Sequence, residues 1–153
     1  MPNTYTKIYI HLVFAVKGRC NLISESIREK IEKYISGIIS GKKQKLYAIY
    51  CMPDHIHILL SMKPDIALSE LVKIIKQETT NFINENKLIK SRFNWQHGFG
   101  AFSYAESQVD NVVKYILNQP QHHYSKNFRE EYIDFLKKFN IEYNNKFLFE
   151  WIE

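Results

Sequence analysis

The chain has 153 residues, 45% of them hydrophobic, with five Gly and four Pro, which excludes an extended disordered protein and fits one compact domain over residues 1–153. A formal charge of +5 favours polyanionic partners. The apolar runs are too short to span a membrane, the first 19 residues lack the pattern of a secretory signal, and the two cysteines, Cys20 and Cys51, suit a reducing compartment, so a cytoplasmic protein with free thiols is expected.

Residues 5–16, YTKIYIHLVFAV, alternate in character. Ile8, Ile10, Leu12, Phe14 and Val16 share one face of a predicted strand, while Tyr5, Lys7, Tyr9, His11 and Val13 share the other. Between residues 24 and 41 the apolar positions Ile27, Ile31, Tyr34, Ile35 and Ile38 recur at helical spacing, with Ser24 placed to cap the start and Gly41 to stop the end. A second strand is expected over 45–51, a turn at Met52, Pro53 and Asp54, and a third strand over 55–62. Leu68, Leu71, Val72, Ile75, Thr79, Phe82 and Ile83 form the stripe of a helix over about 69–84, and a short fourth strand follows at 99–105.

The order strand, helix, strand, strand, helix, strand predicts an α+β fold with a ferredoxin-like, RRM-like βαββαβ antiparallel sheet. Helices are expected on one sheet face and a functional site on the other. Further helices are expected over 107–119 and 127–139, while the aromatic tail from Ile141 reads equally as strand or packing segment. Pro120 biases Gln119 away from helical geometry and predicts a break or kink there.

In the third strand Ile56, Ile58, Leu60 and Met62 face one way, and His55, His57, Leu59 and Ser61 the other. Two imidazoles at i, i+2 on a strand can reach one divalent ion. A pair of hydrogen-bonded histidines would have the same pattern, so a third ligand is needed. In the helix from 107, Tyr115 and Gln119 lie one turn apart on the same flank, where an amide oxygen could complete the ligand set and a phenol would stand beside it. A zinc site using Cys51 is the weaker alternative, because the turn at 52–54 breaks the strand parity. His11 shares parity with Tyr9 and could lie near the site or make a structural hydrogen bond. His122 and His123 fit solvated turn positions, site-flanking groups or DNA contacts.

The segments MPDHIHILL and YILNQ, with the intervening WQHGFGAFSYAESQVDNV and the later HH, resemble the single-tyrosine HUH nucleases. Within these, the chain is similar to the small TnpA-type transposases of insertion sequences and their repeat-associated relatives, from about residue 5 to about residue 150. That resemblance implies the following. Tyr115 is the nucleophile. His55, His57 and Gln119 hold Mg²⁺ or Mn²⁺, with no nucleotide cofactor. The substrate is single-stranded DNA with hairpin or palindromic element ends, cut and rejoined through a 5′-phosphotyrosine. The protein is a homodimer, with Tyr115 acting in its own or the other subunit. A domesticated nickase would keep this chemistry, whereas a non-catalytic single-stranded nucleic-acid binding module would have no use for His55, His57, Tyr115 and Gln119 together. The lysines of GKKQK, with Lys7, Lys17, Arg19, Lys73 and Lys76, and the aromatics of FNWQHGFG could contact DNA, although Trp95 fits a core position equally well.

Overall fold

The computed structural model describes residues 3–144 and 148. Its elements are β1 (Tyr9–Ala15), α1 (Glu25–Gly41), β2 (Lys45–Cys51), β3 (His55–Ser61), α2 (Leu68–Glu85), β4 (Gly100–Tyr104), α3 (Val109–Leu117), α4 (Gln119–Ser125) and α5 (Phe128–Lys138). The four strands form one antiparallel sheet in the order β2-β3-β1-β4, as the βαββαβ reading requires.

One face follows the sequence pattern closely. Leu12, Phe14, Ile56, Ile58 and Leu60 project from the central strands into a core completed by Ile31, Ile35 and Ile39 of α1 and Leu71, Val72 and Ile75 of α2. Tyr34 stacks on Phe82 at 4.0 Å between ring centres, locking the two helices together. Trp95 belongs to this core, edge-on to Phe14 and Phe93, so it is not a free stacking platform. Cys51 faces the same core, which removes it from any joint site with His55 and His57. Ser24 holds the expected position before α1 but makes no capping hydrogen bond. The left-handed residue after that helix is Lys43, not Gly41.

The opposite face departs from expectation. Rather than standing open, it is covered by the C-terminal helices. Val109, Val112 and Ile116 of α3 pack on Tyr9, Ala48 and Leu59, and Phe128, Tyr132, Phe135 and Leu136 of α5 pack on Val13, Ala15 and Phe102. The first strand also starts later than predicted, at Tyr9, with Tyr5 almost fully exposed. The helix predicted over 107–119 starts as a 3-10 turn at Glu106–Gln108, continues as α3 and breaks before α4, where Pro120 stands in the first turn and has no N–H to continue α3. The last helix is capped as its sequence suggests, the Asn127 side chain accepting the Glu130 N–H. Of the ambiguous tail, residues 145–147 and 149–153 lie outside the described residues. Among the described residues, no helix is long and apolar enough to cross a membrane.

Candidate active site

Antiparallel register brings the imidazoles together. His57 pairs with Val13 and His11 with Leu59, so His11 and His57 are diagonal neighbours on one sheet face. Their rings stack, with His11 Nε2 2.8 Å from His57 Nδ1. His11 is fully buried, so it orients His57 and is shielded from solvent. At the start of β3, His55 Nδ1 donates to Asp54 Oδ1 at 2.7 Å, since a carboxylate can only accept. That contact leaves His55 Nε2 with a bare lone pair, and the ring is held flat against Phe128 at 3.9 Å.

Gln119, the first residue of α4, is buried in the site although it lies past the break in the helix. Tyr115, near the end of α3, is half-buried and stacks on His122 at 4.3 Å. These groups converge on a residue that sequence reading passed over, Glu131 of α5. The Tyr115 hydroxyl donates to Glu131 Oε2, and Gln119 Nε2 reaches the same oxygen at 3.0 Å. On the other side, Glu131 Oε1 accepts from His57 Nε2 and His123 Nε2, each at 3.0 Å, and stands 3.7 Å from His55 Nε2. His123 is therefore not a solvated turn residue: it lies on α4 and points its ring at the same carboxylate.

The electrostatics follow from burial. Burial drives the pKa values of His11 and His55 below the ordinary range, in His11 with help from neighbouring His57 and in His55 against the Asp54 hydrogen bond. Neutral imidazoles, able to offer a lone pair, are thus favoured. Burial alone would raise the Glu131 pKa, but His57, then His123 and His55, outweigh it and hold the carboxyl well below its usual range. The Tyr115 phenol is pushed far above its ordinary value by burial and by the Glu131 charge beside it. In this arrangement Tyr115 is held protonated.

Among the buried side-chain atoms without a hydrogen-bond partner in the described residues are His55 Nε2 and Gln119 Oε1, along with His11 Nδ1 behind His57. His55 Nε2 and Gln119 Oε1 are lone-pair donors on residues that the sequence assigns to a metal. The donor chemistry, two imidazoles and an amide oxygen with a carboxylate at hand, fits a divalent cation. A cavity of about 290 Å³ opens from Tyr115 and Glu131, lined also by His122, Lys138 and the ion-paired Lys126 and Asp134, so the nucleophile candidate is reachable.

Residues 4–119 match the family described as Transposase IS200 like. The chain belongs to the IS200-like transposase family. It is 24% identical over 114 residues to the ISDra2 transposase TnpA of Deinococcus radiodurans, a match spanning 71% of this chain and 81% of that protein. Its fold resembles the crystal structure of a candidate transposase from Deinococcus radiodurans, with a TM-score of 0.63 and 21% identity, covering 76% of this chain and 94% of the other. It also resembles the REP-associated tyrosine transposase bound to a REP hairpin, with a TM-score of 0.57 and 18% identity, covering 79% and 72% of the two chains. Membership of the IS200-like transposases implies DNA transposase activity. The matched region ends at Gln119, so His123 and Glu131 lie beyond it.

Glu131 and Asp54 are the site residues that sequence reading missed. A signal for Glu131 exists: Phe128, Glu131, Tyr132, Phe135 and Leu136 form the buried stripe of α5, and an acid at a core-facing helical position demands a partner. Asp54 was readable only as a turn residue.

Proposed function

We propose that this chain is a single-tyrosine HUH transposase that nicks and rejoins single-stranded DNA at hairpin-bearing element ends through a 5′-phosphotyrosine intermediate. The observation carrying this reading is the convergence of His55, His57, Tyr115 and Gln119, from two separate parts of the sequence, on one buried cluster joined by Glu131. The hairpin in the complex of the REP-associated relative supports the substrate class.

In the first step the Tyr115 oxygen attacks a backbone phosphorus. A phosphotyrosine bond forms to the 5′ side as the phenol gives up its proton to solvent, and the 3′ oxygen leaves and takes up a proton as a free hydroxyl, so the proton count balances. The 3′-hydroxyl of a second strand later attacks that phosphorus and frees Tyr115, so the bond energy is kept and no nucleotide is consumed. His55, His57 and Gln119 are the residues that would hold Mg²⁺ or Mn²⁺. A bound dication supplies positive charge that polarises the scissile phosphate and offsets the Glu131 carboxylate. Glu131 positions the phenol through Oε2 and, with its low pKa, is a poor proton acceptor in the state seen here. Lys138, which lines the same cavity as Tyr115, suits a contact to the DNA backbone, whereas Lys126 is ion-paired with Asp134. The homodimer in this reading requires no exchanged tyrosine, because Tyr115 reaches the cluster of its own chain.

The test is incubation with single-stranded hairpin oligonucleotides from DNA flanking the gene, with Mg²⁺ or Mn²⁺, followed by denaturing electrophoresis. Wild type should form a covalent protein–DNA adduct that Tyr115→Phe loses while still binding DNA. DNA binding without any adduct in either metal would instead identify a non-catalytic binding module.

A further inference from the structure

We propose that Glu131 and His123, contributed by the two helices beyond the matched family region, are themselves metal ligands, making with His55 and His57 a three-imidazole, one-carboxylate site for a divalent transition ion. The inference rests on the metal-dependent reading above and extends the ligand set beyond His55, His57 and Gln119.

One ligand atom from each of His55, His57, His123 and Glu131 can be chosen so that all four lie within 4.8 Å of one another. Ligands about 2.1 Å from an octahedral or tetrahedral ion are separated by roughly 3.0 to 3.4 Å when adjacent. The separations from Glu131 Oε1 to His57, His123 and His55 Nε2 are 3.0, 3.0 and 3.7 Å. Two of these separations match adjacent ligands of one ion, and His55 Nε2, the farthest of the three from Glu131 Oε1, must draw inward for all four atoms to bind it.

Hydrogen bonding alone leaves one contact of this cluster unbalanced. Without an ion, Glu131 collects four donors: His57 and His123 on Oε1, Tyr115 and Gln119 on Oε2. His55 is different. Its Nδ1 proton is committed to Asp54, so a bare Nε2 lone pair faces a carboxylate oxygen at 3.7 Å, in a place where both residues are almost fully buried. Two electron-rich atoms held together away from water repel, and a cation between them turns that repulsion into attraction. Gln119 Oε1, close by on the far side of Glu131, is another buried acceptor without a donor among the described residues, as is His11 Nδ1 behind His57.

The ion would replace two N–H protons. Ligation through His57 Nε2 requires its proton on Nδ1, and His11 Nε2 stands 2.8 Å away, able to accept it. His123, partly exposed, can place its proton on Nδ1 toward the surface. Ligation through Oε1 leaves Oε2 free to keep holding Tyr115 and Gln119, so one carboxylate connects the ion to the nucleophile candidate. Three imidazoles and one carboxylate favour Mn²⁺ over Mg²⁺, which prefers oxygen ligands and retains its water.

The test uses the full chain stripped with a chelator and titrated with MnCl₂, free Mn²⁺ being read by electron paramagnetic resonance. Wild type should bind one Mn²⁺, and Glu131→Gln and His123→Asn should each weaken binding by roughly 10-fold or more. Metal-free melting temperatures check that the variants fold. Equal or tighter Mn²⁺ binding by Glu131→Gln would overturn the assignment, marking Glu131 as a plug that competes with the ion. If either variant misfolds, pulsed resonance on Mn²⁺-loaded wild type counts coordinated nitrogens: three imidazoles support the site, two overturn it. The adduct assay separates the readings. Three-nitrogen Mn²⁺ without any adduct leaves this site standing and sinks strand cleavage, whereas an adduct formed with a two-nitrogen ion sinks this site alone.

Discussion

At the residue scale, Gly100 shows how closely α5 is pressed onto the sheet. A Cβ there would stand 2.8 Å from both Cε1 and the hydroxyl of Tyr132 and 3.2 Å from Cε2 of Phe102. Tyr132 is buried and packed, so its ring edge cannot simply swing aside. Gly100→Ala is therefore expected to cost about 1–3 kcal/mol in denaturant unfolding, and the penalty should shrink in a Tyr132→Leu background. The same packing explains which site residues could be read from the sequence. His55 and His57 were legible because strand parity fixes their common face, and Tyr115 and Gln119 because one helical turn separates them. Glu131 was not, since its role depends on α5 folding back over the sheet, a long-range contact that no local spacing encodes. Its only local trace is an acid in an apolar stripe. His123 stayed open between a solvated turn position and a site-flanking one for the same reason, as its partner comes from α5.

At the element scale, the α1 and α2 layer was legible because its stripes and the Ile-rich face of β3 agree with one another. The break at Pro120 was also legible, but its consequence was not: Gln119 stays buried because α4 restarts at that residue instead of leading away. The loop between α2 and β4 is tied down by a different device. Lys76 donates to the carbonyls of Gln96 and Gly98 at 2.8 and 2.6 Å, and its ammonium is lowered to about 8 by burial. An unfolded lysine keeps its proton to a pH of about 10.4, so between roughly pH 8 and 10.4 the unfolded chain binds more protons than the folded one. Stability contributed at this position should therefore rise with pH across that window. Urea unfolding at pH 7, 8, 9 and 10 should show wild type gaining on Lys76→Met as pH increases, and parallel curves would mean that Lys76 titrates normally.

For the whole molecule, the sheet is a partition. One face is sealed by α1 and α2 and holds the fold; the other carries His11, His55 and His57 and is closed by α3, α4 and α5 of the same chain. In the described structure Tyr115 therefore lies beside the histidines of its own chain. Tyr115 and His57 of one chain meet the two oxygens of a single Glu131, and their rings are 6.0 Å apart. A complementation experiment follows from that arrangement. Tyr115→Phe and His57→Ala chains, mixed, unfolded together and refolded, should form no DNA adduct above the level of either alone, because neither chain carries a complete site. Exchange of the tyrosine-bearing helix between subunits predicts the opposite: mixed dimers would contain one site with both His57 and Tyr115, and adduct would reappear. The readout is the adduct band on a denaturing gel at equal total protein, with co-refolded wild type as the reference for full recovery.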